Sequence, residues 1–100
     1  MQIGEQVWSE PVCIDAAHPS LPGHFPGSPV VAGVILLDRL AASIEARKLG
    51  RLYQLQTVKF RAPLLPGEQA SMQVSVKAGR LRFRFTRGEE LLAEGEANLA

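Results

Sequence analysis

Two residues stand out for chemistry they could share. His24 sits in a loop of glycines and prolines, and Asp38 is the one carboxylate inside the apolar run that follows. The stretch reads Gly23-His24-Phe25-Pro26-Gly27-Ser28-Pro29-Val30-Val31-Ala32-Gly33-Val34-Ile35-Leu36-Leu37-Asp38. A histidine titrates near neutral pH, and a carboxyl group in apolar surroundings favours its neutral, proton-donating form. A base and an acid held by an otherwise greasy segment are the parts of a proton-transfer site.

The chain around this segment has 100 residues, enough for one domain spanning 1–100. So short a chain buries a small share of its surface, which favours a dimer. Net charge is +1, so bulk electrostatics make no case for nucleic acid or an anionic membrane. The apolar run from Val30 to Leu37 falls far short of the ~20 residues of a membrane span. Met1-Gln2-Ile3-Gly4-Glu5 reads as no secretory signal, and the lone Cys13 permits no internal disulfide, so a cytoplasmic protein is expected. Cys13 is expected to be a small buried hydrophobe. Two histidines without a cysteine cluster argue against a zinc site, and His18 reads as a loop residue.

The positioning elements follow from spacing. Val7 to Ile14 reads as a strand, with Pro11 marking an edge or a bulge. Asp15 to Pro29 is a long loop stiffened by Pro19, Pro22, Pro26 and Pro29, the kind a small domain keeps for function. A helix is predicted from about Val31 to Leu49, buried all round in its first turns, with Gly50 as its stop. Four strands are predicted after it, as an antiparallel meander. Leu52 to Ala62 changes phase near Thr57, which predicts a bulge. Ala70, Met72, Val74, Val76 and Ala78 alternate cleanly, and Leu81, Phe83 and Phe85 follow in opposite parity. A two-residue Gly79-Arg80 loop would pair Ala78 with Leu81. A three-residue Arg87-Gly88-Glu89 loop would pair Phe85 with Leu91, Arg82 with Glu94 and Arg80 with Glu96, making the arginine row a solvated, charge-paired face. A greasy helix covered by one curled antiparallel sheet is an α+β arrangement.

These residues resemble a family. His24-Phe25-Pro26-Gly27, then Pro29, then Gly33-Val34, then the acid at Asp38 is similar to the signature of the β-hydroxyacyl-acyl carrier protein dehydratases. Val58-Lys59-Phe60-Arg61-Ala62-Pro63-Leu64-Leu65-Pro66-Gly67-Glu68 resembles that family's strand and Pro-Gly turn after the helix, and Leu92 to Ala97 its last strand. The resemblance covers about Ala17 to the C-terminus. It implies the hotdog fold, an antiparallel sheet wrapped around one long central helix. It also implies His24 and Asp38 as catalytic base and acid, with Gly33, Val34 and Phe25 binding substrate. The sequence departs from the family at Ala32, where a proline is usual, and at Ala42, where a glutamine commonly follows the acid. Val34 stands where the isomerising branch has a cysteine, which argues against isomerase activity.

The implied reaction takes a proton from C2 and hydroxide from C3 of a (3R)-hydroxyacyl thioester, giving a trans-2-enoyl thioester. His24 would take the C2 proton, Asp38 would protonate the leaving hydroxyl, and the Gly33 N–H at the helix start would hold the thioester oxyanion. No cofactor is implied. Five residues separate Gly33 from Asp38, so on a helix their directions differ by ~140°. Asp38 should therefore not face the pocket at its own helix start, and two sites shared across a dimer would reconcile this. The implied partner is an acyl carrier protein, which Lys59 and Arg61 could touch, and the dimer is with itself or with a related hotdog subunit. Side chains around Val34, Leu37 and Phe60 would set the depth of the acyl tunnel. Two rivals remain: an acyl thioesterase on the same fold, and a non-catalytic acyl-binding or structural subunit.

Overall fold

The computed structural model describes residues 4–14 and 33–100, with the side chain of Val34 excepted. Its elements in chain order are β1 (Gln6–Val12), α1 (Gly33–Ala46), β2 (Leu52–Phe60), β3 (Ala70–Lys77), β4 (Arg80–Arg87) and β5 (Glu90–Leu99). The expected loop from Asp15 to Pro29, with His18, His24 and Phe25, lies outside the described residues.

Period-two alternation builds the sheet. In β3, Ala70, Met72, Val74 and Val76 are buried, and the residues between them are not. In β4 the buried set is Leu81, Phe83 and Phe85, between exposed arginines. Phe83 and Phe85 meet edge to face, with ring centroids 5.9 Å apart. Each such side chain contributes roughly 1.5–3 kcal/mol by leaving water. Leu36, Leu40 and Ile44, at i, i+4 and i+8, turn one stripe of α1 into the same core.

All five strands form one antiparallel sheet in the order β1-β3-β4-β5-β2. This corrects the expected four-strand meander. β3, β4 and β5 do follow one another, but β2 pairs with β5 and lies at the far edge. The connection after β2 explains how. Leu64 is buried, the Gly67 N–H donates to the Ile14 carbonyl, and the Arg87 guanidinium reaches the Pro63 carbonyl and the Glu68 carboxylate. The segment is thereby tied down on its way from one edge of the sheet towards the other. β1 is the opposite edge, where Pro11 needs no second partner.

Both hairpins differ in register from expectation. The β3–β4 loop is Ala78-Gly79, with φ of 52° and 78°, so Val76 pairs with Leu81 and Lys77 with Arg80. A primed two-residue turn needs positive φ at both positions, and Gly79 serves best in the second. The slide is by two residues, so the faces keep their parity. The β4–β5 loop is likewise two residues, Gly88-Glu89. The register then shifts between Thr86, paired with Leu91, and Phe85, paired with Ala93. Leu92 is the extra residue. It is buried, and its carbonyl accepts from the Arg61 and Ala62 N–H groups. As a result Arg82 faces Glu96 and Arg84 faces Glu94, not the pairs expected. The predicted irregularity in β2 is present between Leu55 and Thr57.

The helix also ends differently. It stops at Ala46, and Lys48 takes the left-handed conformation at φ 58°. Lys48 N–H donates to Glu45 O and Leu49 N–H to Ile44 O, the paired bonds of a Schellman cap. Leu49 thereby turns back onto the core, which Gly50 as the stop would not have allowed.

Nor are the first turns of α1 buried all round: Ile35 and Leu36 are buried, Leu37 is half-buried, and Asp38 and Arg39 are exposed. Beyond them Leu40, Ser43 and Ile44 are buried, with Ala42 and Glu45 exposed. A clamp fixes its second half to β1. Trp8 Nε1–H donates to Ser43 Oγ at 2.9 Å, and Ser43 Oγ–H donates to Glu10 Oε2 at 2.6 Å. Arg47 reaches the same Glu10 oxygen at 3.4 Å, and its guanidinium stands 4.4 Å over the Trp8 ring. Cys13 is exposed, against the expectation of burial, because it follows β1 in the outward parity between buried Val12 and Ile14.

Candidate functional site

Of the expected site residues, the described structure holds Gly33, the backbone of Val34, and Asp38, all on α1. His24 and Phe25 lie outside the described residues.

Gly33 is the first residue of α1, where backbone N–H groups lack intrahelical partners. It is half-buried, and the ring of Phe60 stands against it. A Cβ built on Gly33 would lie 2.5 Å from Phe60 Cζ and 2.7 Å from Cε1. The absence of a side chain at 33 thus has a packing reason of its own, independent of any ligand. Phe60 belongs to the inner face of β2, opposite buried Ala93, yet it is 55% exposed. The start of α1 meets this edge of the sheet at Phe60 without burying it, and Leu55, also in inward parity, is exposed with it.

Asp38 is exposed on the side of α1 turned away from the sheet. The expectation of apolar surroundings fails within the single chain: Ile35 and Leu36 are buried and Leu37 is half-buried, but Asp38 itself is exposed. Gly33 faces Phe60 while Asp38 faces outward, which is the divergence their five-residue spacing predicts.

A further group of charges lies on the outer face of the sheet. A depression of about 460 Å³ there is lined by Thr57, Lys59, Arg82, Arg84, Glu94 and Glu96. Arg61 pairs with Glu94 at 3.0 Å and Arg82 with Glu96 at 3.7 Å, as a solvated, charge-paired surface should. Phe83 and Gly95 complete its lining, and neither Gly33 nor Asp38 belongs to it. At the β4–β5 turn, Glu68 is held below the ordinary carboxylate range, first by the Leu65 N–H and then by Arg87. Arg87 is held above its usual range by Glu90 and Glu68. This cluster fastens the 63–68 segment.

Sequence reasoning missed the contact of Phe60 with Gly33 and the Trp8–Ser43–Glu10 chain. Parity placed Phe60 on the inner face, but nothing local marks which edge β2 would occupy.

Comparison with known proteins places this geometry. A family model described as ApeI-like, ApeI dehydratase, matches residues 2–96. The 3-hydroxyacyl-[acyl-carrier-protein] dehydratase FabZ of Chlamydia trachomatis serovar L2 is 30% identical over 94 residues, covering 78% of this chain and 61% of that protein. The same enzyme of Bartonella quintana is 34% identical over 95 residues, covering 82% and 61%. The chain therefore spans about three fifths of the length of these curated relatives. Among solved structures, the dehydratase heterocomplex ApeI:P from Xenorhabdus doucetiae superposes with a TM-score of 0.85 at 20% identity, covering 100% of this chain and 96% of that one. The sheet and the helix packed against it are the hotdog fold.

Proposed function

This chain belongs to the ApeI-like dehydratase family, and from that premise we propose that it dehydrates (3R)-hydroxyacyl chains carried on an acyl carrier protein. His24 removes the C2 proton, the C2–H electrons form the new double bond, and the C3–O bond breaks. Asp38 protonates the departing hydroxyl, so that water leaves and a trans-2-enoyl thioester remains. Gly33 N–H, at the positive end of α1, holds the thioester oxygen as charge builds on it. No electrons leave the substrate, so acid–base chemistry suffices and no cofactor enters. Phe25 and Val34 complete the substrate contacts, and the reaction takes place in the cytoplasm, where the carrier protein delivers the chain.

The observation that carries this reading is the divergence on α1. The oxyanion donor opens the helix against the sheet, while the acid points outward, available to a second chain. Strand β2 is an open edge with Tyr53, Leu55 and Phe60 exposed, which supports pairing with another hotdog subunit. Each site then takes His24 and Gly33 from one chain and the acid from its partner.

Mass spectrometry of a 3-hydroxyacyl carrier protein incubated with the chain tests the reaction. Loss of water is expected with the native protein and not with His24→Ala. Mixing His24→Ala with Asp38→Asn tests the sharing. If the chain pairs with itself, half of the randomly formed dimers are mixed and one of their two sites is whole, so about a quarter of the native activity returns.

A second reading has its own support. The superposed structure is described as a heterocomplex, and here Asp38 is exposed and followed one turn later by Ala42, which cannot hydrogen-bond it. On that reading the chain is the acyl-binding or structural half of a heterodimer, inert alone and active only with a related subunit. A free acid as product would instead identify a thioesterase.

A further inference from the structure

We propose that Phe60 excludes chains branched at C2 and so restricts the site to unbranched acyl thioesters; this rests on the reading that the Gly33 N–H holds the thioester carbonyl. Helical Cα–Cβ bonds tilt towards the helix N-terminus, the direction in which the first N–H groups also point. The space of the missing Cβ at Gly33 and the space in front of its N–H therefore adjoin. The tip of the Phe60 ring fills the first, since a Cβ there would fall 2.5 Å from Cζ, 2.7 Å from Cε1 and 3.1 Å from Cε2.

A carbonyl oxygen accepting from Gly33 N–H sits about 2.9 Å from the nitrogen, which brings C1 and C2 of the acyl chain alongside that ring. Distal carbons are farther along the chain. Phe60 therefore reads bulk beside the reacting carbon and not chain length. The ring is accessible to do so: it is 55% exposed, on the inner face of an edge strand, with its tip at the helix start. An unbranched C2 passes the ring edge, whereas a methyl group there meets it. The chemistry does not require this exclusion, because a 2-methyl-3-hydroxyacyl thioester keeps one C2 proton to lose. The exclusion is steric.

The test compares native protein, Phe60→Ala and Phe60→Leu in two measurements. The first is affinity for saturated acyl-pantetheine thioesters, unbranched and 2-methyl, which bind without reacting. The second is water loss from the corresponding 3-hydroxyacyl thioesters. One added carbon in an apolar pocket changes selectivity by about 10–200-fold, so native protein is expected to prefer unbranched chains within that range. Phe60→Ala is expected to bring the preference to within a few-fold, with Phe60→Leu between, and with the order among unbranched chain lengths unchanged. Retention of the native fold and oligomeric state, checked by circular dichroism and sedimentation, attributes the change to the ring. Equal branched-chain discrimination in native protein and Phe60→Ala overturns the proposal. So does a native protein that binds both thioesters alike, or neither. A native protein that discriminates in binding but releases no water refutes the dehydratase reading and leaves this inference standing for an acyl-binding subunit.

Discussion

Replacing Ser43 by alanine removes one hydroxyl from the clamp between β1 and α1 and changes little else. That hydroxyl accepts from Trp8 Nε1–H and donates to Glu10 Oε2, in a side chain only 6% exposed. A hydrogen bond to a charged acceptor contributes about 1.5–3 kcal/mol net, and one between neutral groups about 0.5–1.5 kcal/mol. Both partners are partly open to water, the Glu10 side chain being 31% exposed, so each recovers some hydration when the hydroxyl goes. The low ends of the two ranges therefore apply, for a loss of about 2 kcal/mol. At about 4–8 °C per kcal/mol for a domain of this size, Tm should fall by roughly 8–16 °C. Thermal and urea unfolding of Ser43→Ala, Glu10→Gln and the double variant would measure it. Because the two residues share a bond, the double variant should lose less than the sum, by at least about 0.5 kcal/mol. A Ser43→Ala protein within about 0.5 kcal/mol of native stability, or strictly additive losses, would refute the clamp as a stabilising unit.

Two further outcomes are expected. Gly95, on the inner face of β5, has no room for a side chain: a Cβ would meet the Thr57 carbonyl and lie 2.7 Å from Phe83 Cζ. Gly95→Ala should cost about 1–3 kcal/mol in urea unfolding, and a neutral result would show that β2 shifts freely. Glu68, with its proton affinity lowered by the Leu65 N–H and by Arg87, adds stability that is present above the ordinary carboxylate range. That stability is lost as pH falls through its lower folded value. The stability difference between native protein and Glu68→Gln should accordingly be full at neutral pH and vanish in acid, and parallel pH profiles would contradict it.

The legibility of this chain divides at particular residues. The alternation from Ala70 to Val76 and from Leu81 to Phe85 assigned each side chain its face, because successive strand residues point to opposite sides whatever they pair with. The same parity survived a two-residue slide of the β3–β4 hairpin, so the core was right although the pairs were not. The bulge before Thr57 was visible as a broken phase, whereas Leu92 gave no such sign, being one more apolar residue beside Ala93. Of the candidate site, Gly33 was legible as the start of a helix and Asp38 as a carboxylate within that helix. The exposure of Asp38 was not, because an apolar run in sequence does not say how much of a helix its neighbours will cover.

By itself, then, the sequence determined what depends on neighbours along the chain: strand faces, the helix, and the His24-to-Asp38 stretch that carries the resemblance to the dehydratases. Tertiary structure decided what depends on competition between distant segments. It sent β2 to the outer edge beside β5, where its ends meet Leu92 and Ala100. That one choice set Phe60 against Gly33, and the packing of α1 on β1 joined Trp8, Glu10 and Ser43. A strand carries the same pattern of faces at any position in a sheet, so its partner is chosen by the packing of the whole domain and not by its own residues.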